Sequence, residues 1–100
     1  MPKIIRHGDV LLIPHKSLPA DCHKESTKIV AKGEATGHHH SLQGSAAIYS
    51  SNSARYVSVN SSNVILTHQE HKPVQMEEGI YEIKIQRELD LMGQIRKVLD

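Results

Sequence analysis

Five of the eight histidines in this 100-residue chain lie in two short clusters. His38, His39 and His40 follow one another, and His68 and His71 stand three residues apart. Imidazole is the commonest protein ligand for metal ions, and it is also the side chain whose charge changes near neutral pH. The two clusters therefore indicate either a metal site or acid–base chemistry, provided that the fold brings them together.

The spacing within each cluster brings two imidazoles close to each other. On a strand, alternate side chains share a face, so His38 and His40 would point the same way. His68 and His71 do not align on a strand, but they converge in a single helical turn or a tight bend. Pro73 favours a bend, because proline biases the residue before it towards extended backbone. The predicted metal ligands are therefore His38, His40, His68 and His71.

Two pairs of imidazoles from different strands predict a metal ion as the cofactor. Four nitrogen ligands, or three and a water, suit zinc, and nickel, iron or copper also accept imidazole. An ion ligated fully by the protein favours a structural role, whereas an open coordination position favours catalysis. Glu70, between the ligands of the second pair, is the candidate for a fifth ligand, an orienting residue or a general base. The sequence thus predicts a divalent metal, with zinc first.

The same histidines also fit a plainer interpretation. Residues 38–41 and 68–72 would then be solvated polar turns, and the histidines would be incidental or would sense pH. The protein would in that case be a non-catalytic interaction module, with an edge strand at residues 56–59 that accepts a partner strand. The distance between His38 and His68 discriminates the two hypotheses, since a shared site requires them to be neighbours.

Arg87 is the other candidate for chemistry. In a third hypothesis, two histidines act as acid and base on a phosphodiester, and Arg87 stabilises the phosphate. A strand-end ion pair with a neighbouring acid is its simpler role. His7, His15 and His23 each stand alone in the sequence, so we assign them no role, and Asp9 is most simply a turn residue.

Composition narrows the function classes. The formal net charge is +1, and neither a basic stripe nor aromatic stacking platforms are visible, which argues against nucleic-acid binding. Cys22 is the single cysteine, so neither an internal disulfide nor a thiolate zinc cluster can form. No segment resembles a signal peptide or a membrane span, so we expect a cytoplasmic protein. The absence of Phe and Trp predicts a modest core, which favours a homo-oligomer or a protein partner.

Turn residues separate about six short strands, which must position the histidines. The predicted strands are residues 10–13, 27–35, 46–49, 56–59, 64–67 and 81–86. The third and fourth flank a serine-rich turn and should pair as a hairpin. In the sixth, Tyr81, Ile83 and Ile85 share one face. We therefore predict a single all-β domain over residues 1–100, either a small barrel or a sandwich, with a tail from residue 89 that forms a helix or a last strand.

Four blocks of the chain, at residues 6–12, 33–40, 66–71 and 79–88, resemble a family of small bacterial and phage proteins known only as uncharacterised. That resemblance implies no activity. Gly33 and the histidines 38–40 are also similar to the first part of the metal-binding motif of cupins, which are β-barrels that hold a metal through His-x-His and a later histidine. The glutamate that the cupin motif places after this segment is missing here, because residues 41–44 are Ser-Leu-Gln-Gly.

Overall fold

The computed structural model describes residues 3–32, 38–69 and 71–85, and the strands within them are all short. They are β1 (Ile5–His7), β2 (Val10–His15), β3 (His23–Lys24), β4 (Ile29–Lys32), β5 (His39–Gln43), β6 (Ala46–Ser50), β7 (Arg55–Val59), β8 (Val64–Thr67), β9 (Val74–Met76) and β10 (Gly79–Ile85). The described residues contain no helix, so the all-β prediction is confirmed. Among them, accordingly, no helix is long and apolar enough to cross a membrane.

The strands form two antiparallel sheets that pack as a small sandwich. One sheet has the order β1-β2-β10-β7-β6-β3, and the other has the order β4-β5-β8-β9. No strand pairing joins the two sheets within the described residues. Of the two predicted architectures, the sandwich is therefore the one found. The closed barrel, which the cupin resemblance also implied, is wrong because each sheet keeps its own edges.

Each of the six predicted strands corresponds to an observed one, and the predicted hairpin is β6 paired with β7. Strands β1, β3, β5 and β9 were not predicted, because β1, β3 and β9 are only two or three residues long and the sequence of β5 is mostly polar. β7 lies between β10 and β6. The prediction of a partner-accepting edge at residues 56–59 is therefore wrong, since both sides of this strand are already hydrogen-bonded.

Every second side chain along the strands points into the space between the sheets, and these side chains form the core. Val10 and Leu12 of β2 and Tyr81 and Ile83 of β10 point inwards, as the period-two pattern predicted for β10. From the other sheet the buried apolar side chains are those of Val30, Leu42, Val64, Leu66 and Met76. The Tyr81 hydroxyl donates a hydrogen bond to the Glu77 carbonyl oxygen at 2.8 Å, so the largest core side chain keeps its polar end satisfied.

Arg55 links the two sheets through a fork of hydrogen bonds. Its guanidinium donates to both carboxylate oxygens of Glu25, at 2.9 and 3.1 Å. It also donates to the carbonyl oxygens of Val30 and Ile29 in β4, at 2.6 and 3.1 Å. The hydrogen bond from Arg55 is the largest influence on the pKa of Glu25, which is lowered. This contact fastens β7 to the edge strand of the opposite sheet.

Substituting Arg55→Lys should lower the free energy of unfolding by about 1–2 kcal/mol, because lysine cannot reach the Glu25 carboxylate and both carbonyl oxygens at once. The loss is no larger because the Arg55 and Glu25 side chains are partly exposed to solvent. Urea denaturation followed by circular dichroism measures this. The exposed Lys16→Ala serves as the control. A lysine variant as stable as the wild type would contradict the assigned role.

Two predictions concern residues that the structure does not describe. The bend expected at Gly33 and the tail from residue 89 both lie outside the described ranges. The described part of β4 does show a register shift against β5, between Ile29 and Ala31.

Candidate functional site

Five imidazoles gather where the two sheets meet. They belong to His7, His38, His40, His68 and His71, and neighbouring ring centroids lie between 4.4 and 6.3 Å apart. His7 ends β1 in the six-stranded sheet, whereas the others lie in or beside strands of the four-stranded sheet. The cluster therefore joins residues from both layers of the sandwich.

The pairing of β5 with β8 explains why the two histidine segments meet. Ser41 pairs with Thr67, so the residues just outside this pair, His40 and His68, face each other across the sheet. Their ring centroids are 4.4 Å apart. The segment after β8 then bends, which leaves the rings of His68 and His71 4.6 Å apart. Convergence of this pair in a bend is what their spacing predicted.

The closest contact in the cluster joins His7 and His40. Their Nδ1 atoms lie 2.9 Å apart, although 33 residues separate them in the chain. His7 Nε2 donates a hydrogen bond to the carbonyl oxygen of Lys72 at 2.9 Å. A neutral His7 therefore carries its proton on Nε2 and presents the lone pair of Nδ1 to His40. Both side chains are buried, with exposed fractions of 3% for His7 and 1% for His40.

Burial makes His40 difficult to protonate. Desolvation is the largest cause that lowers its pKa, to about 4, and repulsion from the neighbouring His68 and His7 acts in the same direction. Asp9 opposes this shift, since its Oδ1 lies 3.4 Å from His40 Nε2. His40 is therefore neutral at physiological pH and keeps a lone pair available.

Gly8 allows the turn between β1 and β2 to approach the cluster. Its φ of +63° lies in the left-handed region. A Cβ at this position would lie 2.6 Å from His71 Nε2 and 3.2 Å from His40 Cε1. No other residue fits here without displacing an imidazole.

The Gly8→Ala variant should therefore be less stable by about 2 kcal/mol, because the left-handed backbone and the contact with His71 both oppose a methyl group. Chemical denaturation measures the loss, and the His71 imidazole resonances should shift in NMR spectra. Gly44→Ala is a matched control, since Gly44 also has a positive φ, of 109°, but contacts Asn63 and Val64. Unchanged His71 resonances in Gly8→Ala would refute the close approach.

A family model for a domain of unknown function, DUF8820, matches residues 6–86. The chain belongs to the DUF8820 family. The matched segment includes every histidine of the cluster and Asp9. No curated protein and no solved structure matches the chain. The family description assigns no activity, so a proposal about function must rest on the histidine cluster.

The structure brings the four predicted ligands into one region, with His38 and His68 as neighbours whose ring centroids are 5.6 Å apart. It adds His7 and Asp9, to which the sequence pattern gave no role in the site. His7 stands alone in the sequence, so its spacing from other histidines cannot reveal it. The turn at Gly8-Asp9, directly after it, is the local feature that shows where the chain reverses beside this histidine. Glu70 and Arg87, the predicted catalytic residues, lie outside the described residues.

The cluster as it stands does not present a completed set of metal ligands. Among the described residues, no three His, Cys, Asp or Glu side chains have the arrangement needed to hold a metal ion. The Nδ1 atoms of the buried pair His7 and His40 lie at hydrogen-bond distance, 2.9 Å, whereas His68 and His71 contact this pair through their rings.

Proposed function

We propose that the histidine cluster of this DUF8820 protein binds one divalent metal ion, with zinc as the first candidate. The supporting observation is the 2.9 Å separation of His7 Nδ1 and His40 Nδ1. Two nitrogens bound to one tetrahedral zinc at 2.0–2.1 Å lie about 3.3 Å apart. The buried pair is thus within a few tenths of an ångström of the spacing that a shared ion requires.

The hydrogen bond on the far side of the His7 ring supports the same function. Histidines that bind metals commonly donate their other ring N–H to a carbonyl or carboxylate oxygen, which fixes the tautomer and the ring orientation. His7 does so with the carbonyl of Lys72, at 2.9 Å. The nitrogen that faces His40 is consequently the one with a lone pair to offer.

His68 and His71 are the proposed remaining ligands. The ring of His68 is 4.4 Å from that of His40, and the ring of His71 is 5.5 Å from that of His7. The His71 side chain is exposed, so it changes rotamer rapidly. His68 and His71 both lie outside the strands, so their rings can turn without a change in the sheet. The proposed set differs from the predicted one because His7 takes the place of His38, whose ring contacts His68 from farther out.

The donor atoms restrict the choice of metal. Imidazole nitrogens suit zinc, nickel, copper and iron, whereas magnesium and calcium prefer oxygen ligands. His7 and His40 are buried, but His71 is exposed, so one side of the cluster faces solvent. If all four imidazoles bind, the tetrahedral ion is closed and has the coordination of structural zinc; if three bind, a water molecule takes the fourth position on that side, as is typical of catalytic zinc.

The decisive experiment is metal analysis of the full chain, purified without a metal-affinity column. We expect about one equivalent of zinc, and isothermal titration of chelator-treated protein should restore it. The double variant His68→Ala/His71→Ala should lose this binding while it keeps its circular dichroism spectrum, because both side chains lie at the accessible side. The exposed His23→Ala is the control. Folded wild-type protein that binds no zinc, nickel, copper or iron would overturn the proposal.

A further inference from the structure

We infer that a cavity beside β6 binds a small anion that carries a phosphate group, through the side chains of Lys24 and Lys28. The cavity has a volume of about 310 Å³, at the lower end of the roughly 300–1,000 Å³ that is typical of small-molecule sites. It therefore has room for a phosphate group on a short carbon skeleton. None of the residues that line it belongs to the histidine cluster, so this site is separate from the proposed metal function.

The cavity lies where the chain passes from one sheet to the other, over residues 25–28, which we call the crossover segment. At its start, the N–H of Glu25 donates to the carbonyl oxygen of Ile48 in β6, at 2.7 Å. At its end, the carbonyl oxygen of Lys28 accepts from the N–H of Leu42 in β5, at 2.9 Å. Because β6 and β5 belong to different sheets, the crossover segment leaves the edge of β6 between these two points, and the cavity occupies the gap.

Small side chains on β6 keep this gap open. The β6 residues that line the cavity are Ala46 and Ala47, of which the first is buried and the second half-buried. A methyl group reaches only a short distance from the strand, so β6 does not fill the space from its side. An occupant therefore meets two methyl groups on one wall and the polar crossover segment on the other.

The two lysines at the ends of this region supply positive charge. Lys24 and Lys28 both line the cavity, and both are exposed. The Nζ of Lys28 donates a hydrogen bond to the carbonyl oxygen of Gly44 at 2.6 Å. This bond fixes the ammonium group beside the cavity and leaves two of its three N–H donors for a ligand.

Glu25 is the one acid among the lining residues that the structure describes, and it is neutralised by Arg55. The Arg55 guanidinium donates to both carboxylate oxygens, at 2.9 and 3.1 Å. This hydrogen bonding lowers the pKa of Glu25, so its carboxylate stays ionised and paired. With this pair counted as neutral, the lining carries the charge of two ammonium groups, which favours an anion.

Two hydroxyl groups in the crossover segment favour phosphate among the anions. They belong to Ser26 and Thr27. Thr27 Oγ1 accepts a hydrogen bond from the N–H of Ile29 at 3.0 Å, so its own proton remains available to a ligand. Two ammonium groups and two hydroxyls suit the three acceptor oxygens of a phosphate monoester better than the two of a carboxylate.

The test is a titration of the ¹⁵N-labelled full chain with sodium phosphate, at constant pH and ionic strength, followed by two-dimensional NMR. The backbone amides of residues 24–28 should show saturable shifts, and sodium acetate should bind more weakly. Glycerol 3-phosphate is the third probe. Tighter binding of this ester identifies a phosphate ester as the ligand, whereas tighter binding of inorganic phosphate identifies the free ion, and either result supports the site.

Two variants locate the anion. Lys24→Gln/Lys28→Gln should bind phosphate at least about tenfold more weakly, because each lysine contributes a charge-assisted hydrogen bond. Ala47→Ile should also weaken binding, since it fills the cavity without a change in charge. The matched control is Lys3→Gln/Lys16→Gln, which removes the same charge from exposed positions outside the cavity. Its affinity should stay within a factor of about two, because solvent and salt screen distant charges.

Three results would overturn the inference. The first is a wild-type protein that shows no saturable shift with either phosphate probe. The second is an equal loss of affinity in both lysine double variants, since this would indicate a response to net charge alone. The third is unchanged binding in Ala47→Ile, which would place the anion outside the cavity. Far-UV circular dichroism verifies that each variant is folded, and none of these outcomes depends on whether the histidine cluster binds zinc.

Discussion

Replacing His40 by alanine should abolish zinc binding and lower the free energy of unfolding by about 3 kcal/mol. The side chain is among the largest that are fully buried, and it touches His7, His68, His71 and Gly8. Truncation of a buried ring leaves a cavity, which typically costs 3–5 kcal/mol for an aromatic residue and somewhat less for the smaller imidazole. It also removes the partner of His7 Nδ1.

Titration calorimetry with zinc and urea denaturation of the metal-free protein measure the two effects separately. The control is His23→Ala, because this histidine is exposed in β3 and lies outside the cluster. Binding should weaken at least 100-fold in His40→Ala and remain within a factor of two in the control. A His40→Ala protein that retains zinc with wild-type affinity would remove His40 from the ligand set and with it the proposed geometry.

Acidification from pH 6.5 to pH 4 should destabilise the metal-free protein by on the order of 3 kcal/mol. The pKa of His40 is about 4 in the folded state, against about 6.5 for an unperturbed histidine. The unfolded chain therefore binds a proton more readily than the folded one throughout this interval. Because the folded-state pKa is depressed, the stability is present above pH 6.5 and is lost as the pH falls towards 4. The charged and titratable groups that face His40 are His7, His68, His71 and Asp9.

Bound zinc should steepen this dependence, because the ion competes with protons for the same nitrogens and binds only the folded chain. Melting temperature against pH, with and without chelator, is the measurement. At neutral pH the chelator should lower the melting temperature by several degrees. The His40→Leu variant should no longer show the decrease in stability between pH 6.5 and 4. Its melting temperature should still fall at more acidic pH, because the pKa of Glu25 is lowered by its hydrogen bond from Arg55 and protonation of this carboxylate breaks the pair.

An acid dependence that is identical in His40→Leu and wild type would contradict the assignment to His40. A chelator-insensitive melting curve at neutral pH would contradict a metal with a share in the stability of the fold. Together with the elemental analysis, these outcomes separate a metal site from a cluster of histidines that responds to protons alone. The latter result would support histidines that sense pH without a metal.

Local patterns in the sequence predicted the fold class and identified four of the five histidines of the cluster. Alternation of apolar and polar residues predicts β10, because each residue on a strand faces opposite to the next. The Ser-rich turn predicts the β6–β7 hairpin, because its residues satisfy their own backbone. Spacing also predicted that His68 and His71 converge. These features depend on neighbours within a few residues, so a single chain is sufficient to reveal them.

Tertiary structure alone decided which histidine joins the site and how the sheets enclose it. β5 carries His39 and His40 in a polar sequence, and it is a strand only because β4 and β8 pair with it on both sides. His7 meets His40 across 33 residues and the Lys72 carbonyl across 65. The edge position of residues 56–59 was predicted wrongly for the same reason, since β10 arrives from a distant part of the chain. Contacts between distant segments depend on how two sheets pack, which no local pattern encodes.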